Sequence, residues 1–209
     1  RFGVDPTGPT GGSLLANLIQ TPSLLERAQQ GREVGYAIIA VGIIAVLFSF
    51  WKLFSLYTIG TAVRKQANNE AADIANPLGR VLKVGKDNFD KDIDTLELKL
   101  AEAIMAERPA IDSGIGFIKI ISVIAPLAGL LGTVTGMIVT FQMITLYGTG
   151  DPKLMAGGIS QALVTTVLGL LVAIPTSLLH SFTQSSARGI IGVLEEQSTG
   201  ILAERAESK

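Results

Sequence analysis

The chain has 209 residues, of which 48% are hydrophobic and only 17% charged, with 17 Lys and Arg against 18 Asp and Glu. A typical soluble domain is about 25% charged, and nucleic-acid binders and disordered tails carry a charge surplus that is absent here. No Cys and a single His, His180, leave no disulfide framework, no thiolate nucleophile and no multi-histidine metal site.

Residues 1–33 form a lead-in. Residues 1–12 are rich in Gly, Pro and Thr and read as irregular. Residues 13–30 set Leu14, Leu15, Leu18 and Ile19 on one side of a helix interrupted at Thr21-Pro22-Ser23, which suits an interfacial helix on a membrane surface. A start at Arg1 rather than Met is expected of a processed chain or a fragment.

Charge then disappears in blocks. Val34–Trp51 is 18 residues without Asp, Glu, Lys or Arg, Ile120–Gly150 is 31, and Leu154–Ala187 is 34. A helix needs about 20 predominantly apolar residues to cross a bilayer. Three spans are therefore predicted, near 34–57, 117–143 and 157–181. The first lies too far into the chain, and lacks the short n-region, to be a cleavable signal. The segments follow as transmembrane helices 34–57, 111–146 and 154–187, a turn at 147–153, and helical regions at 58–110 and 188–209.

Orientation follows from Lys/Arg asymmetry. The 58–110 connection carries Arg64, Lys65, Arg80, Lys83, Lys86, Lys91, Lys99 and Arg108, whereas 147–153 carries only Lys153. This places 58–110 and the C-terminus on the inside of the membrane, and the N-terminus and the 147–153 turn on the outside. Lys52 and Lys119 are expected to snorkel to the inner interface.

Within 58–110, Asn68–Asn76 suits a short helix halted by Pro77. Ile93, Leu96, Leu100, Ala103 and Ile104 recur at helical spacing opposite a charged face. That pattern predicts one long helix running into span two, with a kink at Pro109. Ile190, Ile191, Val193, Leu194, Ile201 and Leu202 carry span three onward. The expected fold is an all-α membrane protein: three transmembrane helices with long cytoplasmic helical extensions that form a bundle.

Spans two and three hold the chemistry. In span two, Gly129, Gly132 and Gly136 share a face, and Gly132 and Gly136 make a small-xxx-small pair that lets helices approach closely in lipid. No Gly-Lys-Ser/Thr follows, so the glycines are not a phosphate loop. Span three carries Gln161, Thr165 and Thr166, and span two carries Thr133, Thr135 and Thr140. A membrane threonine often does no more than bond its own helix carbonyl. Repeated on two successive spans, such groups also suit a polar strip along a water-filled path. Neither span holds an Asp or Glu in its apolar part, so an acid needed for proton movement must come from a partner.

The strings APLAGLLGTVTGMI (125–138) and GGISQALVTTVLGLLVAIP (157–175) resemble the MotA/TolQ/ExbB proton-channel family. Three spans and the predicted orientation suit its ExbB and TolQ branches, and the lead-in resembles ExbB-like subunits of the TtpC type in TonB systems. The resemblance implies a homo-oligomeric, pentameric ring. Its second and third spans surround a pore that holds the single helix of an ExbD-like protein supplying the pore aspartate. Family threonines match Thr133 and Thr166, with Thr165 and Gln161 beside them along the pathway. Family prolines match Pro126 and Pro175, and Gly129, Gly132, Gly136 and Gly169 match packing positions. Many family members carry glutamate where this chain has Gln161. The implied function is a proton-channel motor subunit that harnesses the proton motive force to energise TonB-dependent outer-membrane transport.

Alternatives remain at this stage. One is a TolQ-like subunit for envelope integrity, another a non-transporting membrane scaffold. An independent transporter lacks an inverted repeat. An enzyme lacks a nucleophile–base pair or metal cluster. No cofactor, metal or nucleic-acid partner is expected.

Overall fold

The structure, a computed structural model, describes residues 31–68, 73–148 and 152–208. The predicted interfacial helix of 13–30 and most of the lead-in lie outside the described residues. Among these, all regular structure is helical, in five helices: α1, Arg32–Ala67; α2, Pro77–Asp87; α3, Ile93–Asp112; α4, Ile115–Tyr147; and α5, Pro152–Glu207. Three of them, α1, α4 and α5, are long and apolar enough to cross a membrane. Leu47, Phe50 and Phe54 on α1, Leu131 and Phe141 on α4, and Leu163 and Leu171 on α5 all stand exposed. Apolar surface on this scale is not left in water by a soluble monomer. The protein is a multi-pass membrane protein.

The chain divides into two compact units, one of Arg1–Ile38 with Ala128–Gly169, the other of Ile39–Leu127 with Leu170–Lys209. The first unit is dominated by an antiparallel pairing of α4 with α5. Small residues make it possible: Gly129 meets the Thr165 backbone, Gly136 meets Ala162, and Gly158 meets Thr140. The spacing 129, 132, 136 and 140 on one helix answers 169, 165, 162 and 158 on the other. Such pairs lie along one helical face, and van der Waals contact drives their association in lipid.

The second unit holds a bundle of α2 and α3 with the adjoining parts of α1 and α5. Leu78, Val81, Leu96, Leu100, Ile191 and Leu194 make its buried core. Burying each such side chain contributes about 1.5–3 kcal/mol. The ends are capped by sequence-local groups. Asn76 accepts from Gly79 N at 2.8 Å and Asp92 from Thr95 N at 3.0 Å. Arg80 grips Glu107 with two bonds, at 2.7 and 2.6 Å, and the carboxylate holds the guanidinium above its ordinary range. Arg205 stacks over Phe89 and bonds the Asp90 and Lys91 carbonyls at 3.3 Å, which ties α5 to the α2–α3 turn.

Two expectations need correction. Pro77 does not halt a helix; it is the first residue of α2, where its missing N–H is no loss, and Asn76 is the cap. (Part of the predicted 68–76 helix, residues 69–72, lies outside the described residues; residues 73–76 form a turn.) The long helix into span two is not continuous: α3, with Pro109 inside it, ends at Asp112. It is broken at Ser113–Gly114, where Gly114 takes a left-handed φ of 79°. Lys52 packs against the protein as well. It is 6% exposed, and its Nζ reaches the Ala110 carbonyl at 3.5 Å, near the end of α3. The helix C-terminus there has unpaired carbonyls and partial negative charge, which favours an ammonium. Lys119 is exposed. The onward course of span three is as predicted, with α5 a single 56-residue helix.

Candidate functional site

In the first unit, the hydroxyls of α4 and α5 divide into buried and open. Thr165 is 0% exposed and fills the space opposite Gly132. Its Oγ1 donates to Ala162 O at 2.8 Å and lies 3.4 Å from Gly129 O. Thr140 is equally enclosed and bonds Gly136 O at 3.0 Å. Both satisfy themselves within the helix pair. Thr133, Thr166 and Gln161 are only half-buried. Adjacent helix positions are rotated by about 100°, which is why Thr165 is enclosed in the helix seam while Thr166 sits at its edge.

The open hydroxyls differ in what they can still do. Thr133 Oγ1 donates to Leu130 O at 2.6 Å, so its proton is committed and its oxygen remains an acceptor. Thr166 Oγ1 lies 3.4 Å from Gly129 O across the helix pair, a long contact that releases readily. Thr133 is thus suited to accept from a protonated carboxyl or a water. Thr166 is suited to donate to a carboxylate. Gln161 offers both functions through its amide.

The prolines act on the backbone. Pro126 lies within α4 and Pro175 within α5. Each lacks an N–H, so the carbonyl four residues back, Ser122 or Leu171, loses its ordinary helical donor. In an apolar medium such carbonyls become polar points that need another partner.

In the second unit, the sequence reading passed over Ser122 and Ser177. They line one shallow pocket of about 350 Å³ with Ala173, Ile174 and Leu178. Ser122 Oγ donates to Lys119 O at 2.8 Å. A signal was present. Ser122 precedes Thr133 by eleven residues and Ser177 follows Thr166 by eleven, close to three helical turns. No group of three or more His, Cys, Asp or Glu that could hold a metal occurs among the described residues.

Comparisons with known proteins bear on the same stretch. Residues 73–196 match the MotA/TolQ/ExbB proton channel family. An ExbB homologue by name, in Methanothermobacter thermautotrophicus, is 30% identical over 77% of this chain and 62% of its own length. ExbB-like 3 of Synechocystis sp. is 28% identical over 79% of this chain and 84% of its own length. The biopolymer transport protein exbB1 of Vibrio cholerae is 36% identical over 46% of this chain and 42% of its own length. The matched stretch is thus less than two thirds of the Methanothermobacter and Vibrio proteins.

Proposed function

Because the chain belongs to the MotA/TolQ/ExbB proton channel family, we propose that it is the ring-forming subunit of an ion-driven motor in a bacterial inner membrane. Five copies surround a central passage lined by α4 and α5. An ExbD-like single-span protein inside it supplies the aspartate that takes and releases the proton. The motion is handed to a TonB-like protein and energises outer-membrane transport. The N-terminus lies in the periplasm and the α2–α3 bundle in the cytoplasm. The eight Lys and Arg of 58–110 favour that orientation.

The observation that carries the reading is that Thr133 and Thr166 are half-buried on membrane helices whose apolar parts hold no carboxylate. Thr133 accepts from the partner's carboxyl when it is protonated, and Thr166 donates when it is ionised. Thr165 holds the helix pair together behind them, with Gly129, Gly132, Gly136 and Gly169, while Pro126 and Pro175 loosen the backbone. Gln161, which has no charge to titrate, plays a lesser part. The membrane potential supplies about 2.3 kcal/mol per charge per 100 mV.

The test is the native mass of the solubilised complex with and without a co-expressed ExbD-like protein, followed by Thr133→Val and Thr166→Val. A five-fold ring that captures the partner, and that keeps its mass but loses TonB-linked uptake in both variants, supports the reading. Gln161→Ala should reduce uptake less than either. A monomer or dimer indifferent to the partner would sink the reading, as would normal uptake in both threonine variants.

A further inference from the structure

The second unit presents two surfaces of opposite character that one chain cannot bring together as contacts of its own core. The first is the outer face of α3. Asp94, Leu98, Glu102, Met105 and Asp112 fall within about 40° of one line down the helix at 100° per residue, and all five are exposed. Leu98 and Met105, at 68% and 70% exposed, are large apolar side chains with no partner in the bundle core. No Lys or Arg falls within that arc. Lys99 sits on its flank and holds Glu102 at 2.8 Å in an exposed pair, of a kind that exchanges partners at little cost.

The second surface is a groove of about 600 Å³ between α1 and α5, lined by Leu53, Tyr57, Gly60, Arg64, Phe182 and Gly189 among others. Its lining mixes apolar side chains with Thr61, Ser185 and Ser186, and Arg64 makes one end cationic. Arg64 and Lys65 lie on α1, and Arg188 is exposed beside Gly189. No Asp or Glu occurs on α1 after Glu33, or on α5 before Glu195.

Depth connects the two. The bond from Lys52 to the Ala110 carbonyl sets those residues level. At 1.5 Å per residue, Met105 and Tyr57 both lie about 7.5 Å toward the bundle, Glu102 and Gly60 about 12 Å, and Arg64 about 18 Å, within reach of Glu102 and Leu98 for a long side chain. A rotation about the membrane normal preserves depth, and two unlike patches joined head to tail close into a ring.

We propose that the acidic, apolar face of α3 seats in the α1–α5 groove of the next copy of this chain, with Met105 against Tyr57 and Gly189 and with Glu102 paired to Arg64. The inference rests on the ring reading above and names the surfaces that build the ring. Charge complementarity sets the register and direction of docking.

The test uses the full chain in membranes. Because the chain has no cysteine, Met105→Cys with Gly189→Cys introduces the only thiols, and a β-carbon at Gly189 meets nothing within 4 Å. Oxidation of the double variant should give a ladder of covalent multimers up to the full ring, with neither single variant passing dimer. Arg64→Glu or Glu102→Arg alone should lower the fraction of chain in rings about tenfold, and the two together should restore it. Intact rings of unchanged mass with no ladder and no effect of charge reversal would overturn this pairing while leaving the ring in place. A wild-type chain that forms no ring would overturn both readings.

Discussion

Gly132 faces Thr165 so closely that a β-carbon on the glycine would overlap the threonine side chain. The pair sits in a row of close approaches in which every position has a glycine on one helix or the other. Gly132→Val therefore forces the helices apart rather than merely crowding one side chain. A loss of about 1–3 kcal/mol is expected from such overpacking, read as a lowered thermal midpoint in detergent. An unchanged midpoint would mean that the two helices do not pack in this register.

Thr165→Val should behave differently from its neighbour. The substitution keeps the shape that fills the space opposite Gly132 and removes a hydroxyl already bonded within its own helix. Interhelical polar contacts in membranes average about 0.6 kcal/mol, so the assembly should hold and ion flux through the reconstituted complex should stay near that of the unmodified protein. Flux lost in Thr165→Val but kept in Thr166→Val would reverse the roles assigned to the two residues.

Gly114 joins α3 to α4 in a left-handed conformation, with the Phe48 ring packed where a side chain would be. Gly114→Ala meets both obstacles. The backbone alone costs about 1–2 kcal/mol, and the ring must shift as well. Gly116→Ala, two residues on, meets nothing within 4 Å and serves as the control. Faster amide exchange around the joint in the first variant, and none in the second, is the expected result.

Lys52→Met replaces the ammonium that reaches the Ala110 carbonyl with an apolar chain of similar length. The end of α3 then loses a donor at long range, at a cost of about 0.5–1.5 kcal/mol. Lys52→Arg, which keeps a donor, should recover part of it. Equal thermal midpoints for all three proteins would show the contact to be incidental.

Much of this architecture was readable from periodicity and charge. The three spans follow from long uncharged blocks, and the amphipathic pattern of Ile93, Leu96 and Leu100 marks α3. The continuation of α5 follows from apolar residues that persist beyond the membrane. What escaped depends on partners distant in sequence. Asn76-Pro77 carries the signature of a helix start, but a proline after a polar run suits a helix stop as well. Gly114 is one glycine among 23, and only the Phe48 ring and the left-handed turn set it apart. Lys52 looks like any interfacial lysine until the end of α3 comes beside it. Thr165 and Thr166 are chemically identical neighbours, and no one-dimensional pattern says which of them faces the seam.

The joint at Ser113–Gly114 also makes the two hydroxyl-bearing helices mechanically unlike. Beyond Pro175, helix α5 enters the bundle without a further break, so a twist applied to that part of it is delivered to Leu194 and Ile201. Helix α4 ends at a swivel, and a tilt there stops at Gly114. If the ring turns against its partner, torque should reach the bundle through α5 rather than through α4, which yields like a sprung pawl.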